Sequence, residues 1–254
     1  MLYGKSATDA AAASHIVTVN QRDYVLSGYV GAAPVRGFYV EGNEINDNGQ
    51  PQGFLVEQPP GAVTNPHFHE TNQFQVIVGG DGRFGKQPIR PLSIQYANAH
   101  TPYGPIVSGE AGVIYFTLRA NWDPGAKYMP ASRDKLIKGN QRSKLIAGLE
   151  CDAAADRLAR TEARAETIIA PETDGLAAWR LALGPGHDTT AADPTGSGGQ
   201  YIIVAEGTFV HKGQDLPRLS VLFVTEDEPP LAVEAGDDGL DLLVLQFPGG
   251  KRFP

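Results

Sequence analysis

Cysteine is nearly absent: Cys151 is the single one in 254 residues, which excludes an internal disulfide and fits a reducing compartment. No stretch approaches the roughly 20 apolar residues that span a bilayer. Residues Met1 to Ser14 lack the apolar core of a signal peptide. A soluble, cytoplasmic protein with no membrane partner is therefore expected. A basic surface is missing too. The net charge of −8 is spread along the chain, and the one basic cluster, Lys135 to Lys144, is interrupted by Leu136, Ile137 and Gly139. It carries no aromatic residues for base stacking, so nucleic acid is not an expected partner.

What is present is glycine, at 30 residues, and proline, at 19, alongside many short runs of Val, Ile, Phe and Tyr. That combination predicts short strands joined by turns, a mainly β protein. The length accommodates two compact domains of about 100 to 130 residues.

A repeat supports two domains. Residues 55–84 align without gaps on 180–209 at an offset of 125, matching Pro60 with Pro185, Gly61 with Gly186, Gln75 with Gln200, Ile77 with Ile202, Gly82 with Gly207 and Phe84 with Phe209. After a two-residue slip, Leu92-Ser93-Ile94 matches Leu219-Ser220-Val221. Each copy runs on into an apolar strand, Val113 to Phe116 and Leu242 to Leu245, as a sheet closing on itself needs. Two barrels are expected at 35–125 and 165–250. The connector between them, 126–164, is expected to hold a short helix in the Ala-, Arg- and Glu-rich stretch from Cys151 to Glu166.

The chemistry concentrates in Asn65-Pro66-His67-Phe68-His69-Glu70-Thr71-Asn72-Gln73-Phe74-Gln75. On an extended chain His67, His69, Thr71, Gln73 and Gln75 face one way, and Phe68, Asn72 and Phe74 the other. Two imidazoles two residues apart on a strand reach one divalent ion without backbone strain.

The pattern Gly61-x5-His67-x-His69-x3-Gln73-x6-Gly80 resembles the first motif of the cupin superfamily, with glutamine where glutamate is usual. The resemblance implies two tandem jelly-roll barrels. It also implies a third histidine from a second motif, for which His100 in Tyr96-Ala97-Asn98-Ala99-His100 is the candidate. That second motif is imperfect here, with Tyr96 and Asn98 at the usual proline and glycine.

One divalent ion is then expected on His67, His69, Gln73 and His100, with Fe(II) leading and Zn, Mn or Ni as alternatives. The matching positions of the second copy, Ala192, Pro194, Gly198 and Asp227, contain no imidazole, so that barrel is expected to be metal-free. Gln75, Tyr96 and Asn98 are candidates to orient a small-molecule substrate. Arg83, Arg119 and Trp122 could meet an anionic or aromatic ligand at the barrel mouth, although surface arginine is the commoner reading.

The resemblance to three-histidine cupin dioxygenases implies a metal-dependent oxidoreductase acting on a small organic acid, diketone or hydroxylated aromatic. A metal-dependent lyase or isomerase, or a non-catalytic ligand-binding bicupin, are the alternatives. A homodimer is expected, since paired subunits can bury sheet edges.

Overall fold

A computed structural model describes residues 1–36, 47–139 and 141–250. The elements are almost all strands. In chain order the first are β1 (Leu2–Lys5), β2 (His15–Val19), β3 (Arg22–Val30), β4 (Gln52–Gln58), β5 (Val63–Thr64), β6 (His67–Phe68) and β7 (Gln73–Phe84). Next come β8 (Gln87–Ile89), β9 (Ile94–Ala97), β10 (Ile106–Arg119), β11 (Lys127–Tyr128) and β12 (Ser143–Ile146). The remainder are β13 (Arg164–Ile169), β14 (Ala177–Leu183), β15 (Asp188–Thr190), β16 (Gln200–His211), β17 (Gln214–Pro217), β18 (Val221–Val224) and β19 (Ala232–Gln246). Among the described residues no helix is long and apolar enough to cross a membrane.

Two compact units result, one of residues 11–149 and one of 1–10 with 150–250. This moves the boundaries read from the sequence. The first barrel starts at β2 rather than near residue 35, because β2 pairs with β3 and β3 with β4. Two short stretches of the expected connector belong to the first sheet system: β11 pairs with β6 and β12 with β9. The second unit recruits β1, which pairs with β18. The expected helix is five residues, Ala154–Leu158.

In the first unit an antiparallel sheet runs β12-β9-β7-β10-β4-β3-β2. Strand β10 is buried at Val113, Tyr115 and Phe116 to Arg119. Residues directly opposite in an antiparallel pair share a face. The register therefore builds inner rows: Gln52–Arg119–Gln73–Ala97, Phe54–Thr117–Gln75–Gln95 and Val56–Tyr115–Ile77. The core of this barrel gathers Tyr24, Leu26, Phe54, Val56, Ile77, Phe84, Ile106, Val113 and Tyr115.

The second unit repeats the arrangement as β1-β18-β16-β19-β14-β13. Its corresponding rows are Ala177–Gln246–Gln200–Val224, Trp179–Val244–Ile202–Leu222 and Leu181–Leu242–Val204. Outside this barrel Asp241 is fully buried, 2.8 Å from Arg180 and 3.0 Å from Arg160, which ties residues 150–160 to β19. Beside it, burial and then Asp241 push the Cys151 thiol up to about 11, so it stays protonated at neutral pH.

The repeat is real, but its slip falls earlier than the sequence alignment places it. Gly61 and Gly186 do match, with φ of 64° and 65°. From β7 onward the copies differ by 127, not 125. Gly80 (φ 68°) lies so close to Gly112 that a Cβ would stand 2.1 Å from its carbonyl oxygen, and Gly207 (φ 79°) does the same to Gly239 at 2.0 Å. Leu92 donates to Ile77 O as Leu219 donates to Val204 O. The two extra residues sit in the loop before β16. Gln200 is thus the counterpart of Gln73, and Ile202 that of Gln75. A shift of two preserves the in-and-out alternation, which is why the ungapped alignment looked sound.

Candidate functional site

A cavity of about 90 Å³ opens inside the first barrel. His67, His69, Gln75, Thr117, Arg119, Tyr103 and Tyr128 line it, against walls that include Val17, Leu26, Phe54 and Val56. Strand β6 carries His67 and leads directly into His69, and the two rings stand edge to face with centroids 5.2 Å apart. Two backbone bonds, His67 N to Tyr103 O at 3.1 Å and Tyr103 N to His67 O at 3.0 Å, set Tyr103 directly opposite His67. The phenol therefore enters the barrel, with its ring 4.5 Å from that of His67.

Arg119 stands at the centre of the polar groups. It donates from Nε to Gln73 Oε1 at 2.9 Å, from Nη1 to Gln52 Oε1 and from Nη2 to His69 Nε2 at 3.0 Å. His69 donates from Nδ1 to Asp123 Oδ1 at 2.6 Å. The backbone amides of Glu70 (2.8 Å) and Gly125 (2.9 Å) also donate to that carboxylate. Gln73 turns its amide nitrogen to the Tyr103 hydroxyl at 2.5 Å.

The network assigns protonation. His67 Nδ1 donates to Asn65 O at 2.7 Å, so Nε2 carries its lone pair. Burial, with His69 beside it, pushes His67 down to about 3. His69 is lowered by burial first and then by Arg119, against the pull of Asp123. Burial opposes the charge of Asp123, yet His69 and Arg119 hold its carboxyl well below the usual range. Burial lifts Tyr128 to about 12 and raises Tyr103 further, so both remain protonated phenols at neutral pH. The centre is thus a neutral imidazole pair, a guanidinium and a carboxylate.

The structure brings together His67, His69, Gln73 and Gln75, and leaves out three expected residues. His100, in a left-handed backbone conformation (φ 55°), packs its ring 5.5 Å from Phe68 on the far face, and its Nδ1 accepts from Ile137 N at 3.4 Å. The loop's inward residue is Tyr103 instead. Tyr96 lies opposite Phe74 in the β7–β9 register, so it shares the outward face. Its ring packs on Phe74 and under Arg142, and its hydroxyl donates to Asn98 Oδ1 at 2.6 Å. Neither Tyr96 nor Asn98 lines the cavity.

The donor set does not fit a divalent ion. His69 has one lone pair, on Nε2, and Arg119 already donates to it. The Gln73 carbonyl faces the same guanidinium, and Tyr103 is not a phenolate. Among the described residues no group of three or more His, Cys, Asp and Glu is placed to hold a metal. A unit charge about 4 Å from another costs about 4 kcal/mol at an effective dielectric of 20, so a dication beside this guanidinium would meet roughly twice that repulsion.

Reading β10 with a period of two from Tyr115 places Arg119 in phase with Tyr115 and Thr117, a signal already in the sequence. Asp123 had none, since Asp123-Pro124-Gly125 reads simply as a turn. Tyr103 became visible only through its pairing with His67.

No protein-family model matches the sequence, and no curated protein does. Solved structures do. A "putative dioxygenase" from Nostoc punctiforme matches over 98% of this chain and 83% of its own, with TM-score 0.66 and 11% identity. Escherichia coli pirin YhhW in complex with nickel(II) matches over 98% and 100%, with TM-score 0.58 and 11% identity. Bacillus subtilis oxalate decarboxylase, which has Mn(II) centres, matches over 98% and 78%, with TM-score 0.56 and 12% identity. These neighbours are cupin-fold proteins, and this chain has their fold, twice over. Pirin and the decarboxylase show that the fold holds divalent ions elsewhere.

Proposed function

We propose that the first barrel is the working half of this protein and that it takes a small organic acid. The carrying observation is the cavity itself, an apolar chamber with a few converging polar groups, the usual form of a small-molecule site. Its second support is Gln75, which is buried and lines the cavity, and whose Oε1 makes no hydrogen bond among the described residues. An acceptor left bare in such a place suits a ligand that brings a donor. The cavity is smaller than the roughly 150 Å³ that admits benzene. A short-chain acid bearing a hydroxyl or amide is therefore preferred over the aromatic acids and diketones expected from sequence.

Oxalate decarboxylase, among the fold neighbours, bears the name of a two-carbon acid, which agrees with a site of this size. Thermal unfolding with a panel of C2 to C6 hydroxy and keto acids tests the reading. A rise in midpoint for short acids that Gln75→Leu removes is the expected result, and no response across the panel would sink it.

The paired imidazoles favour a second reading, a metal-dependent oxidoreductase with Fe(II), Mn, Ni or Zn on His67 and His69. It requires Arg119 to leave His69. Metal analysis of protein purified without chelator, with oxygen uptake on the same acids, decides it: about one equivalent of bound ion would establish this reading.

A further inference from the structure

We infer that the Arg119 guanidinium takes the place of the metal ion as the cation of the first barrel, and that it receives the ligand's anionic end without a metal. The inference rests on the small-acid reading for the ligand, but not for the exclusion of metal.

Arg119 is only 3% exposed, yet it lines the cavity. Its position follows from the register of β10 with Gln52 on one side and Gln73 on the other. Both glutamines present carbonyl oxygens to it, and the lone pair of His69 takes Nη2. These partners are neutral. Among the described residues Asp123 forms an ion pair with Arg119, 3.9 Å from Nη1, while also accepting from His69 and two backbone amides. The guanidinium lines the cavity while held by neutral acceptors and this long ion pair, and a carboxylate entering the cavity would add a charged hydrogen bond to that set.

The second barrel supplies the contrast. In the same row, Gln246 stands where Arg119 does, and Gln200 donates to it at 2.8 Å. Above that pair Ile202, Val244 and Leu222 replace Gln75, Thr117 and Gln95. Cation and polar cavity wall thus occur together in one barrel and are absent together, among the described residues, from the other. In the first barrel, moreover, the Gln75 Oε1 is buried without a hydrogen-bond partner among the described residues. A ligand with an anionic end for Arg119 and a hydroxyl for Gln75 answers both features. A short-chain 2-hydroxy acid has that form.

Calorimetric titration of chelator-treated protein with nickel(II), and separately with L-lactate, L-malate and oxalate, tests the two halves apart. Nickel(II) is expected to give no stoichiometric binding to the wild type. At least one acid is expected to bind with the same affinity in the presence and absence of chelator. Arg119→Gln, which copies the second barrel, should weaken that acid about tenfold or more, and Arg119→Lys less, since a charged hydrogen bond is lost in the first and shifted in the second. Circular dichroism of both variants reports whether they fold.

Stoichiometric nickel(II) binding by the wild type that His67→Ala abolishes would overturn the assignment of Arg119. So would acid binding that chelator removes. Refusal of nickel(II) with no binding of any acid would leave the cation's place with Arg119 and overturn the small-acid reading, including the role of Arg119 toward it.

Discussion

The two barrels share strand order, register and turn glycines, and differ in what faces inward. Along the matched inner rows the first barrel has Arg119, Gln73, Thr117, Gln75 and Gln95 where the second has Gln246, Gln200, Val244, Ile202 and Leu222. The second closes over Leu240, Leu242, Val244, Ile202 and Val204, a packed core. The first keeps a cavity and a buried charged network. One topology thus carries a polar-lined cavity in one copy and an apolar core cluster in the other. The difference lies in a handful of side chains at period-two positions, because fold and site are separable in such barrels.

The comparison is broken most severely at the buried charges. Arg119→Ala should destabilise the first barrel by about 3 to 5 kcal/mol, since Asp123 is left buried with its charge less compensated. Replacing Gln200 and Gln246 together by leucine in the second barrel should cost less, about 1 to 3 kcal/mol, because their shared hydrogen bond goes whole and only the neutral Ala192 and Gly175 carbonyls lose a donor. Denaturant unfolding of the two variants measures the contrast.

Acid should also divide the barrels. His67 and His69 titrate lower when folded than the ordinary value of about 6.5, so below it the unfolded chain binds more protons. Their contribution is complete above pH 6.5 and declines as pH falls, for His67 down to about 3. The slope is about 1.4 kcal/mol per pH unit for each histidine. Tyrosine near-ultraviolet signals around the cavity should fade first on acidification, and a simultaneous loss of both barrels would contradict this.

Converting one barrel toward the other is a milder change. Gln75→Ile, which copies Ile202, removes an unpartnered buried carbonyl and should stabilise the first barrel by about 1 kcal/mol while abolishing acid binding. A stabilised variant that still binds acid would separate Gln75 from the site. The smallest effect belongs to His100→Ala. It should cost about 1 kcal/mol through lost packing on Phe68 and leave ligand affinity unchanged; a lost site would restore His100 to it.

The fold was legible because its signals are local and periodic: the Gly61/Gly186 turn, the alternating strands and a repeated unit. His67, His69 and Gln73 were legible from the same alternation, and so was Gln75 as a cavity residue. His100, Tyr96 and Asn98 were misplaced for one physical reason. After β9 the chain leaves the strand, and the left-handed turn at His100 ends the alternation on which the reading relied.

By itself the sequence determined a mainly β chain with two copies of one barrel and a polar inner face in the first copy alone. Those properties follow from the period of side chains along strands and from glycines at left-handed turns. Only the tertiary structure decided that Tyr103 rather than His100 enters the barrel, that Asp123 orients His69, and that the Arg119 guanidinium stands between Gln52, Gln73 and His69. Each of these depends on strands and loops distant in sequence meeting across the barrel. Pairing between them is set by register and packing, which no local pattern encodes.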